Sequence, residues 1–116
     1  MEANRRMSAP SCLVFFGVRY EVGKGEIETL EERSDPRIAA ARRYGLKFYW
    51  GNFGLQQERW LLFVGAKLGS FGLENRTEVA LERPALECIL SETEVKLRQA
   101  GFSEQPRLYI QWEPDF

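Results

Sequence analysis

A chain of 116 residues, 44% of them hydrophobic, is the size of one ordinary domain and can bury a core without a disulfide or metal staple. Its 16 basic and 17 acidic residues leave a net charge of -1, which excludes nucleic-acid binding driven by bulk charge alone. Histidine is absent altogether, so Ser-His-Asp and Cys-His catalysis and histidine-ligated zinc are excluded as well.

Residues 1–10 are polar and are expected to form a disordered tail ahead of a single α+β domain over 11–116. Arg5 and Arg6, followed by the apolar run from Cys12 to Val18, have the outline of a short signal peptide. That run passes straight into Arg19, Tyr20 and Glu21, so a strand is the better reading. No stretch is long enough to span a membrane, and the two cysteines, Cys12 and Cys88, match no CxxC spacing. A cytoplasmic protein without a cofactor or metal is expected.

Residues 11–22, SCLVFFGVRYEV, alternate as a strand, with Cys12, Val14, Phe16, Val18 and Tyr20 on one side and Leu13, Phe15, Arg19 and Glu21 on the other. Residues 26–33, EIETLEER, fit either a short helix or a loop. Asp35-Pro36 is an N-cap followed by proline at the first helical position; it predicts a helix to about Tyr44, stopped by Gly45, with Ile38 and Ala41 buried.

The aromatic centre of the chain follows at 46–68, which holds Phe48, Tyr49, Trp50, Phe53, Trp60 and Phe63, with Tyr44 and Phe71 flanking it. Two apolar runs meeting at Gly51-Asn52-Phe53-Gly54 predict a β-hairpin. Gly65, Gly69 and Gly72 then predict a glycine-rich connecting loop over 65–72, GAKLGSFG, and 77–81 is a further short strand candidate. Pro84 opens a helix that ends before Gly101, with Leu86, Ile89, Leu90, Thr93, Leu97 and Ala100 on one face. After Pro106, Leu108, Ile110 and Trp112 alternate with Arg107, Tyr109 and Gln111 in a last strand. The order βαββαβ is the ferredoxin-like pattern, an antiparallel sheet with two helices on one face.

If the more apolar side of each strand meets those helices, the opposite side is open. It carries Phe15, Tyr49, Phe63 and Tyr109 together with Arg19, Lys47, Arg59, Lys67 and Arg107. Rings that stack bases beside cations that hold phosphates would suit single-stranded RNA or a small anion. The order of elements is also similar to that of an RNA-recognition motif, whose third strand reads K/R-G-F/Y-G/A-F-V-x-F/Y. Residues 59–66 agree at Arg59, Phe63 and Val64 but lack both glycines and two of the aromatics, so no residue roles carry over.

Residues 65–72 do not form a phosphate loop, because the lysine is misplaced and no helix follows directly. Glu26, Glu28, Glu31, Glu32 and Asp35 match no calcium-loop spacing and are interleaved with Arg33 and Arg37. On the second long helix, Cys88 lies off the apolar stripe in line with Val95 and marks a candidate self-association surface. The expected function is a non-enzymatic binding or interaction domain using the open sheet face (Phe15, Arg19, Tyr49, Arg59, Phe63, Lys67, Tyr109) and the 65–72 loop. Its expected partner is another protein, a second copy above all, or a small anionic ligand. Two alternatives accompany it: single-stranded RNA binding, and an enzyme working without histidine through Tyr49 or Tyr109 beside Arg19 or Lys67.

Overall fold

The structure is a computed structural model that describes residues 10–74 and 76–114; the expected tail lies outside the described residues except for Pro10. The elements run β1 (Ser11–Val22), a 3-10 turn (Lys24–Glu26), α1 (Ile27–Glu31), α2 (Pro36–Arg43), β2 (Lys47–Asn52), β3 (Trp60–Gly72), α3 (Arg83–Gln99) and β4 (Arg107–Glu113). The fold is α+β. Its four strands form one antiparallel sheet in the order β2-β3-β1-β4.

The helices form where their signals stand. Asp35 caps α2 by accepting a 2.8 Å bond from the Arg37 amide, Pro36 occupies the first turn, and Ile38 and Ala41 are fully buried. Of the ambiguous stretch 26–33, Glu26 closes the 3-10 turn and Ile27–Glu31 form α1 with Leu30 buried beneath it, while Glu32 and Arg33 form a turn. Pro84 sits in the first turn of α3, whose buried residues are Thr93 and Leu97. Leu30, Ile38, Ala41 and Leu97 pack with Val18, Val22, Leu62 and Val64 into a core between helices and sheet. The face of the sheet that meets them is its outer face, and the opposite face is its inner one.

Two expectations are corrected. The 65–72 segment is not a loop but the continuation of β3, a 13-residue strand. Its glycines serve close approach rather than turning: Gly65 pairs with Gly17, and a Cβ on either would run into the carbonyl of the opposite strand, Val64 or Phe16. The second is the proposed strand at 77–81, where only an isolated bridge between Phe71 and Arg76 forms nearby. The hairpin turn is also longer than expected. β2 continues to Asn52, whose side chain accepts from the amides of Gly54 and Arg59 and pins the loop 53–59 so that Phe53 is buried.

The sheet is folded over on itself. Tyr49 lies opposite Phe63, which lies opposite Arg19, whereas Glu113 lies opposite Ser11. Ser11 and Arg19 are eight positions apart along β1, about 27 Å in a flat strand. Yet the Tyr49 hydroxyl is within 2.8 Å of both carboxylate oxygens of Glu113. Arg19 likewise donates at 2.8 Å to Gln111, which pairs with Leu13 in the ladder. Both bridges require the β4 half of the sheet to curl towards the β2 half. The Gly17–Gly65 crossing, which no side chain holds apart, lies between the two halves, and the ladder carries a bulge at Val14/Phe15.

Candidate interaction surface

The curl brings all the sequence-predicted site residues of the sheet face but Arg59 together; it buries Phe15 and Phe63, leaves Arg19, Tyr49 and Tyr109 half-buried and Lys67 exposed. Phe15 and Phe63 have no exposed surface, and the Phe63 ring lies 5.5 Å from those of Phe15 and Phe53 and 5.7 Å from that of Tyr109. With Leu13 and Leu61 they form a second core on the inner face. The face expected to be open is thus closed over Phe15 and Phe63, which are not offered to a nucleic-acid base, while Lys47, Lys67 and Arg107 of that face stay exposed.

The polar members of that set are spent on internal partners. The Arg19 guanidinium stacks at 4.7 Å over Tyr109, and the Lys67 ammonium sits 5.0 Å over the Tyr49 ring. Arg59 stands apart from them and pairs with Glu21 at 2.9 Å on the surface. Burial, then the hydrogen bond to Glu113, push the Tyr49 phenol above its ordinary value, so it holds its proton rather than serving as a base. The open cleft of about 460 Å³ between the 53–59 loop and the end of β4 contains Glu21 and Arg59, which neutralise each other, along with Gln111 and Trp112.

A second polar cluster lies at the helix end of the molecule. Arg37 grips Asp35 through Nε and Nη2 at 3.0 and 2.8 Å, reaches Glu26 at 2.7 Å and stacks 5.1 Å over Tyr20, whose hydroxyl donates to Glu104. The hydrogen bonds from Arg37 hold the Asp35 carboxyl below its ordinary value. Arg37, Asp35 and Glu26 neutralise one another and Glu104 accepts from the Tyr20 hydroxyl, so the cluster braces the fold. Among the described residues, no group of side chains could hold a metal ion, and no helix is long and apolar enough to cross a membrane.

Cys88 and Val95 are both exposed on α3, as the sequence implies. The Cys88 thiol donates to Glu92 at 3.2 Å, and that bond raises its pKa, away from reactive-thiolate behaviour.

What the sequence reading missed lies on the outer face of β4. Leu108, Ile110 and Trp112 are 53%, 69% and 50% exposed. By register they lie beside Phe16, Val14 and Cys12 of β1. The helices cover the sheet around Val18, Val22, Leu62 and Val64, and Phe16 is still buried, but the β4 edge of this corner is left bare. Three consecutive outward positions of an edge strand therefore present large apolar side chains to water, with Val14 and Cys12 half-buried behind them. The signal was in the sequence, because the alternation of 107–112 put these residues on the helix side. Nothing in it showed that the helices stop short.

Comparison with known proteins gives no matching family model, no matching curated protein and no matching solved structure.

Proposed function

We propose that this chain is a ferredoxin-like βαββαβ binding domain without catalytic activity, and that it docks another polypeptide along β4. The strand order β2-β3-β1-β4, with a helical crossover between β1 and β2 and another between β3 and β4, supports the fold reading. The pair of 3-10 and α1 turns before α2, and the fold-over of the sheet, are additions to that plan. The observation that carries the functional reading is the exposed row Leu108, Ile110 and Trp112 on an edge strand. Such an edge binds an extended segment by adding it as a further strand: main-chain hydrogen bonds supply affinity, and alternate side chains supply selectivity.

The test is a titration with extended peptides of alternating apolar and polar residues, followed by tryptophan fluorescence and by amide hydrogen exchange. The expected result is slowed exchange at the amides of β4 together with a change in Trp112 emission, absent from a Trp112→Phe control. Unchanged exchange along β4 for every peptide, in a protein that also fails to associate with itself, would overturn the reading.

A further inference from the structure

We infer, building on the reading of β4 as the docking element, that its occupant is a second copy of this chain, joined by antiparallel pairing of β4 with β4 of the partner subunit about a two-fold axis at Ile110. The strand is complementary to itself. Its sequence, RLYIQWE, is seven residues long and has Ile110 at its centre. Antiparallel pairing about that residue sets Ile110 against its own copy, Leu108 against Trp112 of the partner subunit, and Tyr109 against Gln111 of the partner subunit.

The same register sets Arg107 opposite Glu113 of the partner subunit at both ends. Arg107 is exposed, and its side chain has no hydrogen bond, ion pair or ring contact among the described residues. Glu113 accepts from Tyr49, and a carboxylate has lone pairs to spare for a guanidinium. A slip of two residues in either direction loses both ion pairs, and a slip of one turns the apolar row to the wrong face. Charge and hydropathy therefore select one register.

The other edge of the sheet is built differently. β2 begins with Lys47, carries Gly51, and has its outer-face Phe48 and Trp50 half-buried against the helix core. β4 has no lysine, proline or bulge between its ends, none of the devices that keep an edge strand unpaired. A seven-residue strand pair with its flanking side chains falls at the small end of protein interfaces, so self-association in the micromolar range or weaker is expected.

The experiment is sedimentation velocity on the full chain from micromolar to millimolar concentration, together with cysteine cross-linking in a Cys12→Ser, Cys88→Ser background. A concentration-dependent dimer is expected. Ile110→Lys, at an exposed position, sets two like charges face to face at the axis and should weaken the dimer by at least about tenfold. Directly opposed residues of an antiparallel pair have Cα atoms about 4.5–5.5 Å apart, within disulfide range, so Ile110→Cys should cross-link under mild oxidation. Leu108→Cys should not, being about 13 Å from its copy in this register.

A dimer indifferent to Ile110→Lys, or one cross-linked as readily at 108 as at 110, would overturn pairing through β4. A monomer at millimolar concentration would overturn the second copy as occupant. In that case a response of the β4 amides to some other extended peptide leaves the docking reading standing, and silence there removes both.

Discussion

The two halves of the β1–β3 ribbon, divided at Gly17 and Gly65, are made of similar side chains and have met different fates. Beyond the glycines, Val18, Val22, Leu62 and Val64 lie under helices on the outer face, while Leu61 and Phe63 lie in the second core on the inner face. Before them, Leu13 and Phe15 share that inner core, but the outer face of the same stretch continues into β4 and ends in exposed Leu108, Ile110 and Trp112. One half is covered on both faces; in the other the cover of the outer face ends at Phe16 and leaves the β4 edge bare. Alternation along a strand tells which side chains share a face; what covers that face is decided by helices elsewhere in the chain, and here they are too short to cover it all.

The largest effect is expected at the division itself. Gly17→Val puts a branched side chain where even a Cβ meets the Val64 carbonyl. Strands β1 and β3 would have to separate at the one point about which the two halves are folded. A loss of about 4 kcal/mol or more is expected in urea denaturation, enough to unfold a domain of ordinary stability. Gly25→Ala, where a new Cβ meets nothing within 4 Å, should stay within about 0.5 kcal/mol of the parent.

The second effect sets the covered half against the bare one. Phe63→Ala empties the middle of the inner core, between Phe15, Phe53 and Tyr109, and should cost about 3–5 kcal/mol. Ile110→Ala should change the stability of the dilute protein by no more than about 0.5 kcal/mol. Comparable losses at the two sites would mean that β4 is covered in solution by its own chain.

Much of this was legible in the sequence. Alternation gave β1 from Ser11 to Val22, and Asp35-Pro36 and Pro84 gave the starts of α2 and α3. Two things were not legible. Glycine signals both a turn and a close backbone approach, so Gly65 and Gly69 suggested a loop where β3 continues. The second was the curl, which depends on bonds between residues far apart in sequence, Tyr49 with Glu113 and Arg19 with Gln111. Without it Phe15 and Phe63 look like a surface platform; with it they are a core.

A smaller effect lies in the brace at the end of the helix-covered half. Asp35 is 4% exposed and both caps α2 and holds Arg37, so Asp35→Ala should cost about 2 kcal/mol from the lost cap and charged hydrogen bonds. Its carboxyl is held below the ordinary value by Arg37, and that of Glu26 by the Gly23 amide first and Arg37 second. Lowered folded values mean that the unfolded chain takes up protons first. The contribution is therefore complete above the ordinary carboxylate range, near about pH 4, and lost as pH falls through the folded values. Asp35→Asn should flatten the acid limb of a stability-against-pH curve; an unchanged limb would show that other carboxylates set it.

The smallest effect tests the bond that closes the fold-over. Tyr49→Phe leaves the ring in place, packed edge-on against Phe53, and removes only the hydroxyl that ties β2 to Glu113 of β4. A loss of about 1 kcal/mol is expected at neutral pH, typical of one hydrogen bond. The pH dependence separates this bond from mere packing. In the folded protein the Tyr49 phenol is raised above its ordinary value, by burial and by the carboxylate it faces, so the folded state keeps a proton that the unfolded chain gives up first. The stabilisation is therefore present below about pH 10 and falls as pH rises through and beyond that point. Tyr20, raised by burial and by Glu104, adds an alkaline limb of its own at the helix-covered end. Tyr49→Phe should remove one part of the alkaline loss and Tyr20→Phe the other. If the Tyr49 part were missing, the bridge to Glu113 would be a contact formed at no net gain, and the curl of the sheet would rest on the glycine crossing and the inner core alone.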